Sequence, residues 1–253
     1  VGAWRPLPAG RVPWQNRARH PRHKRTTAPR ARLTAHGTPQ VSMDAAVAHI
    51  LRADPAFAAV VDAAGPCTLA RPRAQTPDDH FARLVGDIIA QQLSTRVAET
   101  LTSRFAAALA GQVSPAKVLA LDVQEMRAAG LSGAKSRTIR GLAAAVSSGD
   151  LDLAAMVADP DPHRVRRDLT ALWGIGRWTA EMFEMFTLHR LDVWPVGDLA
   201  LRRGWAKLHA GATSQPPPDI TPAALDPLGD PLRPYRSVAA WYCWRALDAP
   251  GMG

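Results

Sequence analysis

Cysteine is scarce in this sequence. Cys67 and Cys243 are the only two among 253 residues, and they lie far apart without forming a Cys-x-x-Cys pair. This excludes a disulfide framework and a four-cysteine zinc or iron–sulfur site. Such cysteine usage is typical of proteins of the reducing cytoplasm, where we expect the chain to act.

Long apolar runs and strand-like alternation are missing as well. No stretch approaches the roughly 18 consecutive apolar residues that a membrane span needs, so we expect no membrane association. The N-terminus is basic but lacks the continuous apolar segment of a secretory signal. The near absence of alternating runs argues against a β-sheet.

Acidic residues are absent from positions 1–42, which carry nine of the 31 Lys and Arg residues. The rest of the chain has 22 basic and 22 acidic residues, so the net charge of +9 belongs to this Arg- and Pro-rich stretch. We predict a disordered basic extension over 1–42 and one folded domain over 43–253. The extension is compatible with a start site assigned too far upstream and with a DNA-tethering arm. We favour the former because charge runs are usually solvated tails.

From position 43 onward the pattern is that of helices joined by short turns. Thr76 is followed by Pro77 and two acids, which is a well-marked helix start. Asp122 and Glu125 have the spacing of a capping box. The predicted fold class is all-α, with about ten helices.

Residues 211–234 are rich in proline and glycine, which predicts a loop with one short helix starting at Thr221. The last predicted helix runs from about Tyr235 to Leu247 and is rich in aromatic residues. For Trp241 and Tyr242 we expect packing in the core.

The most informative stretch, Leu172–Ala180, contains Gly174 and Gly176 between two predicted helices. Glycines in a tight turn free backbone N–H groups and permit close approach of a neighbouring chain. The following helix directs its positive N-terminus at the turn, where a phosphate is the natural ligand. A tight helix–helix turn without a ligand is the alternative. No strand precedes the turn, which argues against a dinucleotide-binding Rossmann turn.

Asp198 begins a predicted helix after a bend made by Pro195 and Gly197. Taken alone, such an aspartate is best interpreted as a helix N-cap. Its position about twenty residues after the glycine turn changes the balance towards a functional carboxylate.

Together the two stretches resemble the helix-hairpin-helix (HhH-GPD) superfamily of DNA glycosylases, in which a hairpin is followed by a loop ending in an aspartate. Gly174–Ala180 is most similar to the alkylpurine branch, the 3-methyladenine DNA glycosylases II. Three further elements agree in kind and order: Ile88–Ser94, Gly130–Lys135 and Pro234–Trp244. The resemblance extends over about residues 45–248.

The resemblance implies two helical lobes with an active-site cleft between them. It implies base excision repair, in which alkylated purines are removed by hydrolysis of the N-glycosidic bond, with no cofactor or metal. Asp198 falls on the family's catalytic aspartate, and Trp178 and Trp244 fall on positions of its substrate-base pocket. The expected partner is double-stranded DNA with damaged bases, bound by a monomer at the nucleoid of a bacterial cytoplasm.

The resemblance also implies a set of DNA-binding residues: Gly174, Gly176, Arg177, Thr179, Gln92, Leu93 and Lys135. Gln92 or Leu93 is expected to fill the gap left by the extruded base, although both are equally compatible with packing between helices. Nearby cations such as Arg137, Arg202 and Arg203 are expected to contact phosphates or to pair with acids.

Two features narrow the predicted activity. Trp178 stands where lyase-competent relatives have a lysine, and an indole forms no Schiff base, so the resemblance implies a monofunctional enzyme. Two cysteines cannot hold the cluster of the endonuclease III branch, and the β-rich N-terminal domain of some bacterial relatives is not expected. Two alternatives stay open: a DNA-binding module without catalysis, and a glycosylase for a deaminated or oxidised base.

Overall fold

The structure is a computed structural model that describes residues 42–69, 76–159, 161, 163–210 and 220–248. These residues form thirteen α-helices and two 3-10 helices, and none of them lies in a strand. The all-α fold class is therefore confirmed. The 3-10 helices are Pro55–Phe57 and Pro227–Leu232. The α-helices are α1 (Met43–Ala53), α2 (Ala58–Ala64), α3 (Pro77–Ala90), α4 (Thr95–Ala108), α5 (Pro115–Ala120), α6 (Val123–Ala128), α7 (Gly133–Ser148), α8 (Leu153–Ala158), α9 (Arg164–Thr170), α10 (Arg177–Phe186), α11 (Leu199–His209), α12 (Pro222–Leu225) and α13 (Arg236–Asp248).

The count exceeds the predicted ten because several helices have only four to seven residues. Within the described ranges, no helix has the length and apolar character needed to cross a membrane. The predicted disordered extension lies outside the described residues, so that prediction stays untested.

Most predicted helix starts are confirmed. Thr76 and Asp79 cap α3 reciprocally, and Asp122 and Glu125 do the same for α6. The pair Asp161-Pro162 in the sequence also predicts a helix start, but α9 begins later, at Arg164. The reason is that the carboxylate of Asp161 accepts a hydrogen bond from the N–H two residues later, which makes a turn rather than a cap.

The helices enclose two hydrophobic cores. The first lobe comes from both ends of the described chain, α1, α2 and α11–α13, and it buries Phe57 and Tyr242 completely. The second lobe is built from α3–α9. Helix α10 lies between them, because Met182 packs in the first core and Phe183 in the second. The predicted two-lobed arrangement is thus confirmed, as is the core position of Trp241.

Helices α11 and α13 make the most extensive contact in the fold. At their crossing, Gly204 of α11 lies directly against the backbone of α13, where an added Cβ would overlap the carbonyl group of Cys243. Only glycine permits this distance between the two helices. The next residue of α13 is Trp244, so the crossing also sets how close Trp244 lies to the beginning of α11.

The loop between α10 and α11 is pinned to the first turn of α13. Arg236 binds Asp192 through Nε at 2.6 Å, and Arg233 reaches the same carboxylate at 3.0 Å. The hydroxyl of Ser237 accepts the N–H of Val193 at 2.9 Å and donates to the carbonyl of Arg190 at 2.7 Å. These bonds fix the segment that leads into Asp198.

Gly204→Ala tests the helix crossing. The added methyl group meets backbone atoms that cannot rotate away, so α11 and α13 must separate, and we expect a loss of about 1–3 kcal/mol in the free energy of unfolding. Denaturant unfolding measures this change. Gly141→Ala is the matched control, because Gly141 lies inside α7 with nothing within 4 Å of an added Cβ. The control should gain up to about 1 kcal/mol from helix propensity. Equal effects of the two substitutions would contradict a special role for Gly204.

Candidate active site

Asp198 is the N-cap of α11. Its Oδ1 accepts the backbone N–H of Leu201 at 2.6 Å, and its own N–H donates to the carbonyl of Pro195 at 2.8 Å. Arg202 closes the bend from the other side by donating to the carbonyls of Val196 and Gly197. The capping role anticipated from the sequence is therefore confirmed, and Arg202 serves the local turn.

Two tryptophans also donate to the carboxylate of Asp198. The indole Nε1 of Trp178 lies 2.8 Å from Oδ2, and that of Trp244 lies 3.0 Å from Oδ1. Asp198 is only 6% exposed. A helix cap needs a single acceptor oxygen, whereas here both oxygens are engaged by three N–H donors. The carboxylate is held in one orientation by groups from α10, α11 and α13.

The two indoles approach Asp198 from different helices. Trp244 is buried and packs against Phe186, with ring centroids 5.7 Å apart and planes tilted by 31°. Trp178 is half-buried on the first turn of α10. The structure therefore brings together the three residues that the sequence singled out for catalysis and base binding.

The two glycines of the hairpin serve different purposes. Gly174 has a φ of 82°, and an added Cβ would overlap the hydroxyl of Thr138 on α7, so both the backbone and the packing require glycine. Gly176 is the N-cap of α10, where an added Cβ meets nothing within 4 Å. It supplies no side-chain bond to the first-turn amides of α10. Gly176 is exposed and the first-turn amides of α10 receive no side-chain cap, as an anion site requires.

Gln91 fastens this hairpin to the second lobe. Its amide Nε2 donates to the carbonyl of Gly174 at 3.1 Å and to the hydroxyl of Thr179 at 2.9 Å. The Thr179 side chain is buried in this contact, so any contact of Thr179 with DNA, which stays a prediction, would involve its backbone. Sequence reasoning gave Gln91 no role, because nothing near it in the chain reveals a partner more than 80 residues away.

Lys135 belongs to α7, and its side chain reaches the C-terminal end of α3. Its ammonium donates to the carbonyls of Ile89 at 2.7 Å and Gln91 at 3.0 Å, where the last carbonyls of a helix need donors. Burial lowers the pKa of Lys135. The predicted contact with DNA stays untested, and the structure assigns Lys135 the additional task of fixing the turn that follows α3.

That turn exposes Gln92. The N–H of Leu93 donates to the carbonyl of Ala90 at 3.1 Å, and Gln92 has a φ of 59°, which together make a type II turn. A left-handed conformation is strained for a residue other than glycine, and such strain is concentrated at functional sites. Leu93 is half-buried, whereas Gln92 projects from the turn as the exposed residue.

Arg177 begins α10 and is largely exposed, with Nε 2.7 Å from Glu181. Burial raises the pKa of Glu181, and the adjoining guanidinium opposes that shift. Deeper along α10, the buried carboxylate of Glu184 is held by Arg166 and Arg190 at 2.9 Å each. Most arginines around the hairpin are therefore already engaged with carboxylates.

Comparison with known families agrees with this geometry. Residues 85–229 match the family model of the HhH-GPD superfamily base excision DNA repair proteins. The match includes the hairpin, Asp198 and the turn after α3. The chain belongs to the HhH-GPD superfamily, and the resemblance noted from the sequence is confirmed.

Individual relatives are similar over most of their length. The alkylbase DNA glycosidase-like protein of Schizosaccharomyces pombe is 28% identical over 78% of this chain and 90% of its own. The 3-methyladenine DNA glycosylase of the same yeast, solved in complex with abasic DNA, has a TM-score of 0.71 at 28% identity, covering 81% of this chain and 97% of its own. A DNA-3-methyladenine glycosidase from Bacillus halodurans has a TM-score of 0.65 at 32% identity, covering 83% and 89%.

Gln91→Met tests the fastening of the hairpin. The substitution keeps side-chain length but removes both hydrogen bonds and leaves the Gly174 carbonyl without its donor. We therefore expect the free energy of unfolding to fall by about 1–2 kcal/mol. Faster amide hydrogen exchange in the first turns of α10 should accompany the loss. Gln124→Met, at an exposed position of α6, is the matched control and should leave both measurements unchanged. An unaltered exchange rate in α10 would show that Gln91 does not hold the hairpin.

Proposed function

We propose that this protein is a monofunctional DNA glycosylase that excises alkylated purines from double-stranded DNA by hydrolysing the N-glycosidic bond. The observation that carries the proposal is the carboxylate of Asp198, held by two indoles and a helix N-terminus beside the hairpin. It would act as a monomer on the chromosomal DNA of a bacterial cytoplasm.

The proposed chemistry depends on charge. Cleavage of an N-glycosidic bond builds positive charge on the sugar, and a carboxylate near C1′ stabilises that charge and orients the attacking water. Such stabilisation is strongest when the group is already in position before the reaction. The three N–H donors provide this preorganisation, because they fix the carboxylate plane of Asp198.

The proposed base pocket is aromatic. Alkylation at N3 or N7 makes a purine cationic, and a cation over an indole face gains about 0.5–2 kcal/mol. Trp178 and Trp244 both turn their N–H edge towards Asp198, which places two indoles beside the proposed base position; Trp178 is half-buried, whereas Trp244 is buried against Phe186. Because a cationic purine is already a good leaving group, modest pocket selectivity suffices for turnover.

The proposed DNA contacts surround the pocket. The first-turn amides of α10 would hold a backbone phosphate. The lesion must leave the base stack to reach Asp198, and Gln92 is the residue we propose to occupy the vacated position. Its exposure and its strained backbone support this choice over the half-buried Leu93.

Asp198→Asn separates catalysis from capping. Asparagine caps a helix about as well as aspartate, so a pure cap predicts near wild-type activity. Loss of a preorganised charge predicts a fall of about 10²–10³ in the rate, or about 3–4 kcal/mol. Single-turnover excision from a duplex with an alkylated purine measures the rate, and affinity for an abasic duplex should be unchanged. Excision within a few-fold of wild type would reduce Asp198 to a cap.

The structure also supplies a control for this experiment. An asparagine amide has one acceptor oxygen, so if that oxygen keeps Leu201 and Trp244, its NH₂ group faces the indole N–H of Trp178. Asp198→Asn/Trp178→Phe removes this conflict between donors. If missing charge causes the slow excision, the double variant stays as slow as the single one. If the double variant instead excises about as fast as Trp178→Phe alone, the slow excision of Asp198→Asn comes from the clash between its amide and the indole N–H.

The proposed mechanism has no amine nucleophile. The chain has four lysines, and two of these, Lys117 and Lys135, donate to backbone carbonyls. Because Trp178 stands where lyase-competent relatives carry a lysine, borohydride added during excision should trap no covalent protein–DNA adduct. A lyase-competent relative is the positive control. An adduct with this protein would mean that one of its amines attacks the sugar, and the hydrolytic mechanism would be wrong.

A further inference from the structure

An arginine and a tryptophan are stacked on the surface beside the hairpin. Trp173, which directly precedes Gly174, is 52% exposed. The guanidinium carbon of Arg137 on α7 lies 4.1 Å from the centre of its ring. Arg137 is itself exposed, and among the described residues no carboxylate forms an ion pair with it. It differs in this from Arg177, which is paired with Glu181.

The position of this stacked pair follows from three elements that meet at one rim. Thr138, the neighbour of Arg137, is the side chain that packs against Gly174. Lys135, two residues before Arg137, holds the end of α3. The stacked pair therefore lies on the same rim as the Gln92 turn and the hairpin that leads into α10.

The stacking gives Arg137 the properties of a phosphate ligand. One face of the guanidinium is covered by the indole, which limits the conformations of a long side chain without neutralising its charge. The N–H groups at its edge keep their donor geometry, and a guanidinium edge matches two oxygens of a phosphate. A fixed and unneutralised arginine edge on the rim that carries the hairpin is suited to one backbone phosphate.

We propose that Arg137, held by Trp173, is a binding site for one phosphodiester of the DNA backbone, separate from the phosphate proposed for the α10 amides. The proposal rests on the proposed function only in taking DNA as the ligand. Arg137 supplies the charge, and Trp173 is a positioning residue that supplies none. Removing one side chain or the other should therefore change DNA binding in different ways.

The dependence of affinity on salt distinguishes these two roles. Binding of the full chain to an abasic duplex is measured by fluorescence anisotropy between about 50 and 200 mM NaCl. Arg137→Ala should reduce the slope of log K against log [salt] by about 0.9, the value for one lost phosphate contact. Trp173→Ala should weaken binding about two- to five-fold with the slope unchanged. Trp173→Phe keeps a ring under the guanidinium and should recover most of that loss.

Arg52→Ala is the matched control for charge. Arg52 is exposed in the last turn of α1, near Asp54, which pairs with His209 at the end of α11 remote from Asp198. Its removal changes the net charge as Arg137→Ala does, and we expect an unaltered slope. A slope for Arg137→Ala equal to that of Arg52→Ala would overturn the proposal. So would a Trp173→Ala variant that loses slope, since Trp173 carries no charge and by itself releases no counterion from the DNA.

The same proteins distinguish this proposal from the proposed function. At limiting protein, single-turnover excision by Arg137→Ala should fall in proportion to its affinity for DNA, whereas Arg52→Ala should match wild type at every protein concentration. Wild-type protein that binds the abasic duplex with the expected slopes but excises no alkylated purine would refute the glycosylase and leave the phosphate site intact. Thermal unfolding of each variant checks that the fold is retained.

Discussion

The close approach of α11 to α13 at Gly204 is the constraint on which the site depends. Asp198 stands at the start of α11, and Trp244 stands on α13 next to the carbonyl that Gly204 contacts. With α13 displaced outward, the 3.0 Å bond between Trp244 and the carboxylate would be lost. The arrangement of the polar site is thus determined by how closely the backbones of α11 and α13 pack at Gly204.

A second set of interactions brings the two lobes to the same point. Helix α10 contributes Trp178 to the carboxylate, and about one turn further along, Met182 packs in the first core and Phe183 in the second. Gln91 fixes the beginning of α10 to the second lobe, while Arg236 and Ser237 fix the loop after α10 to the first. The hairpin and Asp198 are therefore parts of one frame, although they belong to different lobes.

The sequence predicted the local features of this frame and missed the long-range ones. The glycine turn, the helix start at Asp198 and the two tryptophans follow from local spacing and from the family pattern, and the structure brings them together. Gln91, Gly204 and Arg236 act through partners distant in the chain, and no periodicity reveals such a partner. For Lys135 the sequence predicted a contact with DNA but could not reveal the bond to the end of α3. A lysine near a turn has the same sequence pattern in both cases.

The donors around Asp198 also restrict what else can bind there. A carboxylate offers about four lone-pair directions. Oδ1 accepts from Leu201 and Trp244, and Oδ2 accepts from Trp178. Among the described contacts, one direction on Oδ2 is left for a water molecule or a sugar atom. In the proposed hydrolysis, a single vacant direction would hold one water molecule, and attack from that one position would give a fixed stereochemical course.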